Sequence, residues 1–124
     1  MEEKSKRVAM DTNMLTAIGQ LKVDVFDEII GLIGRTNFFV PAQVKQELEN
    51  LAAKKATKAP VFIARQLMKD YNVREIDTVA KSADDALASL AKIGFYVATN
   101  DSSLRKRIGS NVIFIRQRKF IELQ

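Results

Sequence analysis

The stretch FYVATNDSSLRKRIGSNVIFI, residues 95–115, reads as a short apolar run, a polar turn, a short basic helix and a second apolar run. Each apolar run is the length of a buried strand, and the segment over 102–108 is long enough for two helical turns. The same alternation extends in both directions along the chain. Strands are expected over 7–10, 38–40 and, more weakly, 73–76, and an edge strand over 120–123. Helices are expected over 23–33, 41–54, 60–71 and 82–94. Pro41 ends a strand and can open the helix that follows it, because proline is tolerated in the first helical turn. Such alternation points to an α/β fold of three layers, with a central, mainly parallel sheet of about five strands covered on both faces. In sheets of this kind, sites form beyond the carboxyl ends of the strands, where strand order reverses.

The chain has 124 residues, the size of one domain, and 47% of them are hydrophobic, enough to bury a core without covalent staples. A single domain is expected over 7–124, after a charged, aperiodic tail over 1–6 that reads as disordered. With no cysteine and no histidine, zinc sites of the Cys/His type, thiol nucleophiles and Ser-His-Asp triads are excluded. Carboxylates must carry any acid-base or metal chemistry. No apolar run approaches a membrane span, and the polar start MEEKSKR lacks the apolar core of a signal peptide. A soluble, cytoplasmic protein is therefore expected, with no membrane partner. The net charge is +5, and six basic residues stand against two acidic ones from Asp101 onward. That C-terminal cluster of Arg105, Lys106, Arg107, Arg116, Arg118 and Lys119 suggests a polyanionic partner.

The acids fall at informative positions. Asp11 ends the first strand, Asp101 follows the strand over 95–98, Asp84 and Asp85 open the helix over 82–94, and Glu47 lies about two turns into the helix after Pro41. Each also has a structural reading. Asp11 with Thr12 and Asn13 can form an Asx turn, Ser82 with Asp85 fits a capping box, Asp101 can cap the next helix, and Glu47 can be a solvated face. If the first and fourth strands are neighbours, all of them converge on one crevice. Carboxylates crowded together repel, and a divalent cation relieves that repulsion. Oxygen-only ligation favours Mg²⁺ or Mn²⁺.

The stretches AMDTNML, FFVPAQVKQELENL, ADDALASLA and YVATNDSSLRKRI, in this order and spacing, resemble the PIN domain, the small metal-dependent ribonuclease fold, over nearly the whole chain. The likeness is nearest to the PIN nucleases of small-subunit ribosomal RNA processing and their short archaeal relatives, and VapC-like toxins share the pattern. It implies that Asp11, Glu47, Asp85 and Asp101 are the catalytic, metal-holding quartet. Asp84 is an alternate ligand, because Ala88 stands where the family has a larger apolar residue. Thr12, Asn13, Thr99 and Asn100 would orient the acids or their waters. The implied activity is Mg²⁺- or Mn²⁺-dependent hydrolysis of RNA, with the six C-terminal cations holding the phosphate backbone. An antitoxin or a ribosome-assembly factor is the implied protein partner, and the family also forms homodimers. The competing reading within the family is a catalytically silent module that binds RNA or protein. A phosphoaspartate receiver fits less well, since Asp11 lacks an acidic neighbour, and a haloacid-dehalogenase-like phosphatase would need an acid where Asn13 stands. Tyr71, Tyr96 and the phenylalanines read mostly as core, so no aromatic stacking surface is expected.

Overall fold

Three fully buried side chains, Val8, Ala9 and Met10, close the first strand, β1 (Lys6–Met10), and mark it as the centre of the sheet. A strand buried on both faces needs apolar residues in succession rather than in alternation. The structure, a computed structural model, describes residues 4–124. On one side β1 pairs in parallel with β2 (Thr36–Pro41), which pairs with β3 (Arg74–Ile76); on the other it pairs with β4 (Tyr96–Ala98), followed by β5 (Val112–Arg116). The last strand, β6 (Phe120–Leu123), runs antiparallel to β5, so the order is β3-β2-β1-β4-β5-β6. The sheet thus has six strands, the expected set with the edge strand included. Strand order reverses between β1 and β4, where Met10 stands beside Ala98.

Of the expected tail, residues 1–3 lie outside the described residues, and Lys6 already belongs to β1, its N–H donating to the Arg35 carbonyl at 2.9 Å. The ladder therefore starts one residue before the predicted strand.

Among the described residues six helices cover the sheet: α1 (Thr12–Leu21), α2 (Val25–Ile33), α3 (Ala42–Ala52), α4 (Lys58–Asp70), α5 (Ala83–Lys92) and α6 (Ser102–Ile108). Five match expectation to within a few residues. The sixth, α1, was not anticipated: it follows β1 without a linker, and the Asp-Thr-Asn sequence that reads as a turn is its capped start. Met14, Leu15 and Ile18 on α1 are buried, each stabilising the fold by about 1.5–3 kcal/mol. Gly19 lets α1 approach α4 closely, since a Cβ there would stand 3.0 Å from the Pro60 Cα.

Side chains of β2 alternate between faces. Phe38 meets the fully buried Phe26 of α2 edge-on at 4.8 Å, and Phe26 stacks on Tyr71 at 5.0 Å. Phe39 turns the other way, onto Phe95 at 5.3 Å. The Tyr71 hydroxyl donates to Asp24 Oδ2 at 2.8 Å, and this bond to a carboxylate pushes the phenol up to about 12. No helix among the described residues is long and apolar enough to cross a membrane.

Candidate active site

The reversal of strand order brings the ends of β1 and β4 together, and Asp11 sits at that junction, 5% exposed. Its N–H donates to the Ala98 carbonyl at 2.9 Å. Oδ1 accepts the Thr12 N–H at 2.8 Å, which makes Asp11 the N-cap of α1, and Oδ2 accepts the Thr99 hydroxyl at 2.6 Å. Burial pushes the Asp11 carboxyl above its ordinary range, and nearby Glu47 and Asp84 add to the rise against the opposing bonds from Thr99 and Thr12. The same carboxylate that caps α1 lines a cavity.

That cavity, about 420 Å³, is lined by Asp11, Thr12, Asn13, Thr16, Glu47, Asn50, Leu51, Asp84 and Asp101. Asp101 caps α6, its Oδ1 accepting from the Ser103 and Leu104 N–H groups at 2.8 and 3.2 Å. Its own N–H donates to the Thr99 hydroxyl oxygen at 3.1 Å. Thr99, fully buried, thus ties the first acid to the fourth. Glu47 reaches across from α3, where its Oε1 accepts the Thr12 hydroxyl. Asn13 Oδ1 accepts the Asn100 N–H at 3.0 Å, and Asn100 Oδ1 accepts the Ile115 N–H at 2.8 Å. Of the four polar residues singled out beside the acids, Asn13, Thr99 and Asn100 therefore fasten the ends of β1, β4 and β5 to one another, and Thr12 ties the start of α1 to α3.

The third acid differs from expectation. Asp84 lines the cavity, whereas Asp85 faces away and holds the Arg107 guanidinium at 2.7 Å. Neighbouring helical residues project about 100° apart, so only one of the two can face the acids. The phase is set by Ser82, whose hydroxyl accepts the Asp85 N–H at 3.1 Å. Arg107 also holds the exposed Asp85 carboxyl below its ordinary range. The sequence reading missed Thr16, Asn50 and Leu51. Thr16 lies one turn past Thr12 on the unanticipated α1, and Asn50 lies three residues past Glu47 on the same face of α3, so helical spacing was the signal for both.

The ligating groups on the walls are oxygens, and the carboxyl of Asp11 is held up by burial and, less, by Glu47 and Asp84, a donor set that suits a hard divalent cation such as Mg²⁺ or Mn²⁺. Among the described residues no three acids stand close enough to form a ready coordination group. Asp11, Glu47, Asp84 and Asp101 are accordingly candidate ligands spread over one wall, and Asp85 is not among them.

Three of the six expected phosphate-binding residues have hydrogen-bonding side-chain partners among the described residues. Arg107 holds Asp85, Arg116 holds Glu122 at 2.8 Å, and Arg105 bonds Gln124 Oε1 through Nε at 3.2 Å while lying 3.6 Å over the Phe114 ring. Lys106, Arg118 and Lys119 are exposed.

Residues 8–118 match the PIN like domain. The chain belongs to the PIN-like domain family. The acid-bearing stretches that carried the resemblance all lie within the matched span, so the expected family is the one found. Ribonuclease VapC9 of Archaeoglobus fulgidus is 27% identical to this chain, over 97% of this chain and 92% of that protein. Among solved structures, the PIN domain endonuclease Utp24 matches with a TM-score of 0.76 and 26% identity, over 95% of this chain and 90% of that one.

Proposed function

We propose that this PIN-like protein is an endoribonuclease that hydrolyses RNA phosphodiester bonds with Mg²⁺ or Mn²⁺ held by Asp11, Glu47, Asp84 and Asp101. The observation that carries this reading is that these four acids, from four separate segments, line one cavity at the strand-order reversal. A ribonuclease and an endonuclease among its relatives support it. A bound divalent ion supplies an activated water and neutralises charge that grows on the scissile phosphate. The chain's own residues prepare for that. Thr99 and Thr12 fix both oxygens of Asp11, Thr12 steadies Glu47, and the Asn13–Asn100 bond keeps the start of α1 against the loop that carries Asp101. Lys106, Arg118 and Lys119 extend exposed positive charge that attracts a polyanion without reading its sequence.

The setting is that of a toxin-antitoxin pair or of ribosomal RNA processing, and the protein partner is correspondingly an antitoxin or a ribosome-assembly factor. The looser spacing of the acids favours one alternative, a module that binds RNA without cutting it. Incubating the purified protein with RNA in Mn²⁺, in Mg²⁺ and in EDTA separates the two. The nuclease reading expects internal cuts with either ion, none in EDTA, and none from Asp11→Asn. RNA bound equally well with and without the ions, and never cut, overturns it.

A further inference from the structure

Phe120 breaks the expectation that the aromatic residues are core: it is 45% exposed. It opens β6 directly opposite Arg116 of β5. Two cations stand over its ring, Arg116 Cζ at 5.7 Å and Lys119 Nζ at 5.6 Å from the centroid. Opposed residues of an antiparallel pair share a face, so Phe114, with Arg105 above it, lies on the same side of the hairpin as Phe120. A lone exposed apolar residue needs no explanation. An exposed ring beside two cations, in a chain of net positive charge, is an arrangement that suits unpaired nucleic acid, with a base on the π-face and phosphates on the cations.

Position supports this. β5 runs parallel to β4 and β1, so Arg116, its last residue, lies at the same end of the sheet as Asp11 and Asp101. The Asn100–Ile115 bond joins the acidic loop to that end of β5. Counting strand spacings and rises, Phe120 stands roughly 15 Å from Asp11, within the span of a few nucleotides. Gln117 and Arg118 are the two central residues of the turn between the strands, with left-handed backbone angles at both positions, φ 54° and 59°, the geometry that joins twisted antiparallel strands tightly. Here it returns Lys119 to the ring, with the Lys119 N–H on the Arg116 carbonyl at 3.1 Å.

We propose that Phe120 is a stacking platform for one unpaired RNA base, with Arg116 and Lys119 holding the adjoining phosphates. This subsite rests on the ribonuclease reading and adds where the uncut strand is gripped. The Arg116–Glu122 pair is exposed, and such pairs are weak, so the guanidinium can be shared with a phosphate. A base within a duplex has both faces covered by its neighbours and is refused by the ring, which makes the subsite selective for single strands.

The chain has no tryptophan, so Phe120→Trp installs a single reporter at the platform. Titrated with a single-stranded oligoadenylate in EDTA, that protein should lose fluorescence saturably. Ile93→Trp, 62% exposed just before β4 and hence at the opposite end of the sheet, should not. Phe120→Ala should weaken binding of the unpaired oligonucleotide about 5- to 150-fold, the range for one lost base stack, and leave duplex RNA binding unchanged. Binding without quenching at position 120, or equal loss of both RNA forms in Phe120→Ala, overturns the platform while leaving the nuclease reading intact. If the wild-type protein neither binds nor cuts RNA, both fall.

Discussion

Replacing Asp11 with asparagine should make the protein more stable while stopping its chemistry. The carboxylate is 5% exposed and faces Glu47 and Asp84, and an ion taken out of water near like charges carries a penalty of several kcal/mol in real proteins. Two contacts offset it, from the Thr12 N–H and the Thr99 hydroxyl. Asparagine caps a helix about as well as aspartate, but it keeps only one acceptor oxygen, for the Thr12 N–H, while its amide N–H must donate to the Thr99 hydroxyl that donated to Asp11, at about 1 kcal/mol per altered bond. The raised carboxyl means that the penalty outweighs the contacts, which leaves a net gain on the order of 1–2 kcal/mol for the amide. For a domain of this size that is roughly 3–10 °C in Tm. The pH dependence identifies the cause. The folded Asp11 holds its proton more tightly than the unfolded one, so its favourable contribution is fully present below the unfolded-state range and is lost as pH rises through the raised value. Wild-type stability should therefore fall relative to the variant as pH rises from about 4, the ordinary aspartate range, through the raised value, with the two melting alike at the acid end. Thermal melts of both proteins across that range in EDTA, beside a cleavage assay with Mn²⁺, make the test. A variant that melts below the wild type at pH 7, or that still cuts RNA, refutes the reasoning.

Asp84→Asn should reduce cleavage at least 100-fold, while Asp85→Asn keeps full cleavage and changes stability by less than about 1 kcal/mol, as expected of a surface pair; rates and melts of the two variants measure this. Phe26→Ala should cost about 3–5 kcal/mol in denaturant unfolding, since it empties the fully buried centre of the Phe38–Tyr71 cluster. In an alkaline absorbance titration one of the two tyrosines should ionise only near pH 12, and Asp24→Asn should bring that step down towards the ordinary range.

The sheet was legible because its parallel strands are buried on both faces and leave continuous apolar runs such as Val8 to Met10, which period and composition report directly. Helix α6 was equally plain, with its Asp101 cap and its basic last turn. Helix α1 was not, since Asp11, Thr12 and Asn13 serve a turn and a helix cap equally well, and Gly19 lowers the local helical signal for the sake of contact with Pro60. Asp11 and Asp101 could be found at strand ends without knowing the packing. The choice between Asp84 and Asp85 could not, because helix phase and the capture of Asp85 by Arg107 depend on contacts made across the fold. Phe120 was misread for a related reason: composition counts an aromatic as core, whereas an edge hairpin has a face that nothing need cover.

The proposed nuclease needs divalent metal held by acids from separate segments. Soaking crystals with manganese and mapping its anomalous signal tests this most directly. The expected result is a peak in the cavity at roughly 2.0–2.6 Å from carboxylate oxygens that include Asp11, with Asp84 near it and Asp85 still on Arg107. Manganese bound only elsewhere, or a cavity whose acids hold none at saturating concentration, would contradict it.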